Sequence, residues 1–175
     1  MNILFYITVS LVLIVSQTVI FPFFDFTLGC FDLILILVLH ISLTYTHNFV
    51  ILGLLLLGGI MDSISGVPFF YYVFSYLWIY FIVKLFQRFV FQRSLLFLWM
   101  ISMVSILIQQ GLMLFSVMLA QGQGALDWLI FGPHLVRQLV LGGVFLPLGV
   151  WLVDALQKKW AAEMESLRNR LTDRG

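Results

Sequence analysis

The amino-acid sequence predicts an all-α integral membrane protein, a bundle of about six transmembrane helices with a short cytoplasmic C-terminal amphipathic helix. Hydrophobic residues make up 62% of its 175 residues, and charged residues only 10%. Soluble chains are nearer half apolar and a quarter charged, and a chain of this size has too little interior to hide the excess. Six apolar stretches, and basic residues gathered in two segments, support the same fold class.

The apolar stretches predict helices, because a backbone inside a bilayer must satisfy its own polar groups. The third stretch is short: its 13 residues rise about 20 Å as a helix, less than a hydrocarbon core of about 30 Å. It either borrows neighbouring residues to cross alone or forms a re-entrant hairpin with the fourth. Residues 1–153 are expected to form the bundle and residues 154–175 the tail. The six stretches cover residues 2–21, 31–45, 49–61, 68–83, 94–119 and 133–153.

Basic residues indicate the orientation of the bundle. Eight of the nine lie between the fourth and fifth stretches or after the sixth, and an even number of crossings separates those two segments. The positive-inside rule places both segments, and both termini, in the cytoplasm. Asp25, Asp32 and Asp127 are then expected in outward-facing connections, and the ninth basic residue, Arg137, near the outer end of the sixth span. The eight are Lys84, Arg88, Arg93, Lys158, Lys159, Arg168, Arg170 and Arg174.

The tail has an amphipathic pattern, with apolar residues every three or four positions and charged residues between them. This spacing predicts one apolar face of a helix. Three interpretations stay open: the helix lies on the membrane surface, packs against a partner helix, or continues the sixth span into solvent. The apolar positions are Leu156, Trp160, Met164, Leu167 and Leu171.

The connection between the third and fourth stretches contains the most informative residue, Asp62. A carboxyl group at or near membrane depth is costly and is usually buried against a partner or a cavity. We expect Asp62 to brace a helix–turn–helix joint; a ligand or proton site, and exposure on the outer surface, are the alternatives. Gly58 and Gly59 permit neighbouring backbones to approach closely. Gly66 favours a turn, and Pro68 suits the first position of the next helix.

Other polar residues have structural interpretations. Ser63 or Ser65 is expected to cap the helix that follows the joint. His40, inside the second stretch, is expected to bond a neighbouring helix as a neutral imidazole, since no acid is identifiable for a proton relay. Gln109 and Gln110 predict hydrogen bonds between helices.

A candidate polar outer cluster lies at the start of the sixth span. His134 and Arg137 share a helix face there, and Asp127 precedes them in the sequence. The two side chains are expected to pair with Asp127, to meet a lipid headgroup or to bind a partner; the sequence does not choose among these.

The sequence argues against catalysis. It shows no nucleophile–base pair, no metal-ligand spacing and no phosphate-cradling loop. We therefore expect no enzyme activity, no cofactor and no metal. The net charge of +1 gives no indication of nucleic-acid binding, and the single cysteine, Cys30, cannot form an internal disulfide.

The run from Gly59 to Pro68, GIMDSISGVP, resembles the Gly-x-x-Asp-x-x-x-Gly-x-Pro signature of the rod shape-determining protein MreD family. Residues 31–33, FDL, are similar to the Pro-Asp-Leu that opens the second span in that family, with phenylalanine in place of proline. Phe70 stands where the family often has a second glycine. The length, the number of spans and the cytoplasmic termini also agree with the family.

The resemblance implies a non-catalytic, multi-pass scaffold of the bacterial inner membrane. Its partner would be MreC, a single-span protein with a periplasmic domain, through which the actin-like MreB is connected to peptidoglycan synthases. Asp32, Asp62, Gly66 and Pro68 are the positions that carry over, as fold or interface residues. The lipids of the membrane would cover the remaining surface. A competing interpretation is the substrate-capture membrane subunit of a vitamin or small-molecule importer, which has a similar topology and needs an outward-facing polar pocket.

Overall fold

The computed structural model describes residues 3–20, 32–45, 48–66, 70–89, 95–121 and 128–172, and all regular secondary structure in these ranges is helical. The predicted all-α class is thus confirmed for this part of the chain. The helices are α1 (Ile3–Val15), α2 (Ile34–Thr44), α3 (Asn48–Ser65), α4 (Tyr71–Phe89), α5 (Leu95–Gln121) and α6 (Trp128–Thr172). A π-helical turn, Ser16–Ile20, extends α1.

Within the described ranges, two helices are long and apolar enough to cross a membrane: Leu96–Leu119 in α5 and Leu135–Ser166 in α6. Shorter apolar helices cover Leu4–Val19, Ile34–Thr44 and Phe49–Ser65. The third apolar stretch forms a longer helix than predicted, because α3 continues beyond it for a total of 18 residues. At 1.5 Å per residue this helix measures about 27 Å, which is close to the thickness of a hydrocarbon core.

The second helix, α2, is the centre of the bundle. Its residues from Ile34 to Leu39 are at most 7% exposed, and His40 and Ser42 are buried as well. Helices α1, α3, α4 and α6 all contact it. The 11 residues of α2 rise only about 16 Å, and a helix that is apolar on every side suits a buried position. The other helices pack around α2.

Helices that follow one another in the chain pack as pairs. Helix α3 contacts α4 across the connection 66–70, and α5 contacts α6. Helix α4 also contacts α2 and α5, while α6 packs back on α2. Gly149 lies at that last contact, where an added Cβ would be 2.5 Å from Ile36 Cδ1. The missing side chain thus permits α6 to approach the central helix closely.

Helix α6 begins before the sixth apolar stretch and continues into the tail. The sequence placed the start of that stretch at Pro133, but one helix runs from Trp128 to Thr172 and includes Pro133. Its continuity agrees with the interpretation in which the tail continues the sixth span. The tail continues the span as helix because it is rich in strong helix formers such as Ala, Glu, Lys and Leu. Trp160 in the tail still packs on the core, with its ring 6.1 Å from the ring of Phe5 in α1.

The central position of α2 leads to a prediction on stability. Leu37 is fully buried, so Leu37→Ala should leave a cavity and lower the free energy of unfolding by about 2–5 kcal/mol. Leu52→Ala makes the same substitution on α3 at a residue that is 55% exposed. It should change the free energy of unfolding by less than about 0.5 kcal/mol. Denaturant unfolding in a mild detergent measures both values. Equal losses in the two variants would contradict the central role of α2.

Candidate functional site

The two acids that the sequence singles out are both buried, and both reach the first turns of α4. Asp32 lies just before α2 and is 6% exposed, while Asp62 lies near the end of α3 and is 7% exposed. Each carboxylate bonds to groups that belong to a different helix from its own. The candidate site therefore lies at the start of α4.

Asp62 caps α4 from the side of α3. Its Oδ1 accepts the Tyr72 N–H at 2.8 Å, and its Oδ2 accepts the Val73 N–H at a longer 3.5 Å. The first N–H groups of a helix have no partner within the helix, and a negative charge there is favoured by the helix dipole. The prediction that Asp62 braces the joint is confirmed.

The prediction that a serine caps α4 is wrong. Ser63 Oγ donates to the Gly59 carbonyl at 2.9 Å, and Ser65 Oγ donates to the Met61 carbonyl at 2.6 Å. Both hydroxyls thus bond the preceding turn of α3 itself, as serine hydroxyls in helices commonly do. Helix α3 continues through these residues to Ser65, and the N–H groups at the start of α4 are capped by the carboxylate of Asp62 instead.

Glycines shape the joint at two points. An added Cβ on Gly58 would lie 2.7 Å from Val73 Cα and 2.8 Å from Val73 N, so only glycine permits this approach of α3 to α4. Gly66 has a φ of +66°, in the left-handed region that favours glycine. Gly59 differs from both, since a Cβ added there would have no atom within 4 Å. Pro68 lies outside the described residues.

Asp32 connects α2, α4 and α5. Its Oδ1 accepts the Ile34 N–H at 3.0 Å, which caps the start of α2. Its Oδ2 accepts the Tyr76 hydroxyl of α4 at 2.8 Å and the Gln109 amide of α5 at 2.7 Å. The sequence predicted Asp32 in an outward-facing connection and did not predict its burial between helices, where the donors around it compensate its loss of water.

Further hydrogen bonds extend around Asp32. The Tyr71 hydroxyl donates to the Gln109 carbonyl at 2.9 Å, and Gln17 Oε1 in the π-helical turn accepts the Leu33 N–H at 3.0 Å. Gln110 donates to Gln138, which links α5 to α6. The prediction that the two glutamines of α5 bond between helices is confirmed. The sequence does not reveal the roles of the tyrosine hydroxyls, because α4 contains many aromatic residues and their spacing does not show which hydroxyls point inward.

The candidate polar outer cluster is only partly described. Arg137 lies half-buried on α6. The side chain of His134, and all of Asp127, lie outside the described residues, as do Asp25 and Cys30.

A second group of polar residues lies at the opposite end of α2. His40 is buried, and its Nε2 is 4.0 Å from Asp154 Oδ1 of α6, which also pairs with Lys158 at 2.7 Å. Neither ring nitrogen of His40 has a hydrogen-bond partner, so the predicted bond to a neighbouring helix is wrong. Asp154 was missed as its neighbour because 114 positions separate them in sequence. Gln157 donates to the Tyr45 hydroxyl at 2.8 Å beside this pair.

The donors around both carboxylates are backbone N–H groups, phenolic hydroxyls and an amide, and their effect is to hold four helices together. The described residues contain no group of three or more His, Cys, Asp or Glu side chains that could hold a metal ion. The chain matches no protein-family model, and neither a curated protein nor a solved structure matches it.

The contrast between two adjacent glycines gives a prediction. Gly58→Ala places a methyl group against the backbone of Val73, which cannot move aside without shifting α4, and should lower the free energy of unfolding by about 1–3 kcal/mol. Gly59→Ala has open space and should raise it by about 0.5–1 kcal/mol, because alanine is the better helix former. Thermal unfolding of the two purified variants tests the opposite signs; a loss of the same size in both would refute the close contact.

Proposed function

We propose that the chain is a non-catalytic scaffold of the bacterial cell-elongation machinery, similar to MreD. In this role it resides in the inner membrane, binds MreC and thereby helps to connect MreB to peptidoglycan synthesis. The supporting observation is the geometry of the residues that carry the resemblance. Asp62 caps α4, and Gly66 adopts the left-handed conformation, so these signature residues build a defined joint.

A multi-pass arrangement in the membrane is supported by the outer surface of the bundle. Large apolar side chains are exposed on every helix except the central α2, and a lipid environment removes the cost of that exposure. Two helices are long and apolar enough to cross. Representative exposed residues are Leu11 on α1, Leu56 on α3, Trp78 on α4, Leu107 on α5 and Trp151 on α6.

The placement of both basic segments on the cytoplasmic side is supported by contacts at one end of the bundle. Gln87, near the end of α4, donates to the carbonyl of Leu43 at the end of α2 at 3.0 Å. Gln157 of α6 donates to Tyr45, which is next to that same end. Lys84 and the start of the basic tail therefore lie at the same end of the bundle, as the positive-inside rule requires.

We place the docking site for the membrane helix of MreC at the joint surface, which comprises Ile60, Ile64, Phe70 and Phe74. Ile60 and Ile64 are one turn apart on α3, and the rings of Phe70 and Phe74 contact each other at the start of α4. All four are exposed. The cap by Asp62 fixes the two helices that present these side chains, and a preorganised surface binds a partner helix at a lower entropic cost.

Recovery of MreC with the tagged protein from native membranes tests this role. Asp62→Leu and Gly66→Leu should reduce the recovered MreC about tenfold or more, because they disturb the joint that presents the surface. Ile60→Ala combined with Phe74→Ala should give a similar loss while keeping the wild-type melting temperature, since both side chains are exposed.

Leu152→Ala serves as the matched control, because it truncates an exposed apolar residue of α6, away from the joint. It should leave MreC recovery unchanged. Normal recovery of MreC, with normal rod shape, in all the joint variants would exclude the joint as the functional surface. A rise in melting temperature with one member of a vitamin panel, without MreC binding, would favour the importer subunit instead.

A further inference from the structure

Asp32 is a buried carboxyl group without a counter-charge. No ion pair joins it to a Lys, Arg or His side chain among the described residues. Its partners are the Ile34 N–H, the Tyr76 hydroxyl and the amides of Gln109 and Gln17, all of which are neutral. A buried charge without a partner of opposite charge is far more costly than a neutral carboxyl group. A proton can therefore bind here if the neighbours of Asp32 form hydrogen bonds with both its ionised and its protonated form.

Tyr76 and Gln109 can bond both the ionised and the protonated form of Asp32. A phenolic hydroxyl accepts as well as donates, so Tyr76 Oη, 2.8 Å from Oδ2, can receive a hydrogen bond from a protonated Asp32 once its own hydrogen rotates away about the C–O bond. The Gln109 amide exchanges its NH2 and C=O groups when it turns over. Its Oε1 is buried and has no hydrogen-bond partner, so an acceptor is already present in the side chain that touches Asp32.

Asp62 has the opposite surroundings. Its partners are the backbone N–H groups of Tyr72 and Val73, which donate but cannot accept. They lie at the N-terminus of α4, where the helix dipole favours a negative charge. The two acids are buried to nearly the same extent, yet only Asp32 has partners that suit either protonation state.

The titratable groups that face Asp32 are phenols. Tyr71, Tyr72 and Tyr76 of α4 are the ones that interact with it electrostatically. From the other helices, Gln109 of α5 and Gln17 of the π-helical turn present neutral amides. From α3, the carboxyl group of Asp62 bonds the start of α4 beside Tyr72. From α6, Arg137 is adjacent to Gln138, which bonds Gln110, and it is not among the groups that interact with Asp32. The groups that bond Asp32 directly are thus all neutral.

We propose that Asp32, together with Tyr76 and Gln109, forms a proton-binding site inside the helix bundle. On binding, a proton from water forms an O–H bond at Oδ2, and that O–H group donates to Tyr76 Oη or to Gln109 Oε1. Release returns the proton to water and restores the hydrogen bonds that the ionised carboxylate accepts. The site does not depend on the proposed binding of MreC.

Infrared difference spectroscopy of the full-length protein in lipid nanodiscs, recorded as the pH is lowered, tests this site. The wild type should gain the C=O band of a carboxylic acid in an apolar environment. Asp32→Asn should lose that band but keep the wild-type melting temperature, because asparagine imitates the protonated acid. Tyr76→Phe and Gln109→Met should keep the band and move it to higher frequency, because each removes one hydrogen bond.

Asp62→Asn is the matched control. It should keep the band, because the proton binds at Asp32, and it should melt at a lower temperature, because an amide replaces the carboxylate that caps α4. The proposal is overturned if the wild type shows no such band while it remains folded, or if the band persists unchanged in Asp32→Asn. Should Asp32→Asn fail to fold, an identical band position in wild type, Tyr76→Phe and Gln109→Met overturns it equally.

Discussion

The architecture depends on the burial of one short apolar helix. Helix α2 contacts α1, α3, α4 and α6, and its residues from Ile34 to Leu39 have almost no exposed surface. Apolar packing has no direction, so burial alone would leave the helix free to slide or turn. Hydrogen bonds fix its position at both ends: Asp32 bonds α4 and α5 at the start, and Leu43 and Tyr45 accept hydrogen bonds from α4 and α6 at the end.

The first turns of α4 are where the two acids act together. Asp62 holds them from α3, and Asp32 holds them from α2, so the start of this helix is fixed to two neighbours at once. The aromatic residues of α4 lie on different sides of the helix according to their polarity. The inward-facing side carries hydroxyl groups that need partners, and the outward-facing side carries rings that suit lipid. The buried residues are Tyr71, Tyr76 and Tyr80, and the exposed residues are Phe74, Trp78 and Phe81.

The sequence predicted what depends on local chemistry. The apolar runs predicted the helices, the acid next to glycines predicted the joint at Asp62, and Gln109 was correctly expected to bond between helices. The burial of Asp32 could not be predicted, because it depends on two donors, Tyr76 and Gln109, that lie 44 and 77 positions away. The proximity of His40 to Asp154 was missed for the same reason. Whether the tail continues the sixth span was left open by the sequence, because a change from apolar to charged composition does not by itself end a helix.

The proposed docking surface and the proposed proton site share one element. The joint surface includes Phe70 and Phe74 on the outer side of the start of α4, while Tyr76 on its inner side bonds Asp32. Protonation of Asp32 reverses or exchanges its hydrogen bonds with Tyr76 of α4 and Gln109 of α5, whereas the cap from Asp62 stays in place. A change in charge inside the bundle therefore acts first on the segment that presents the rings to a partner. The close contact of Gly58 with Val73 limits the response to small displacements, because α3 has to move with α4.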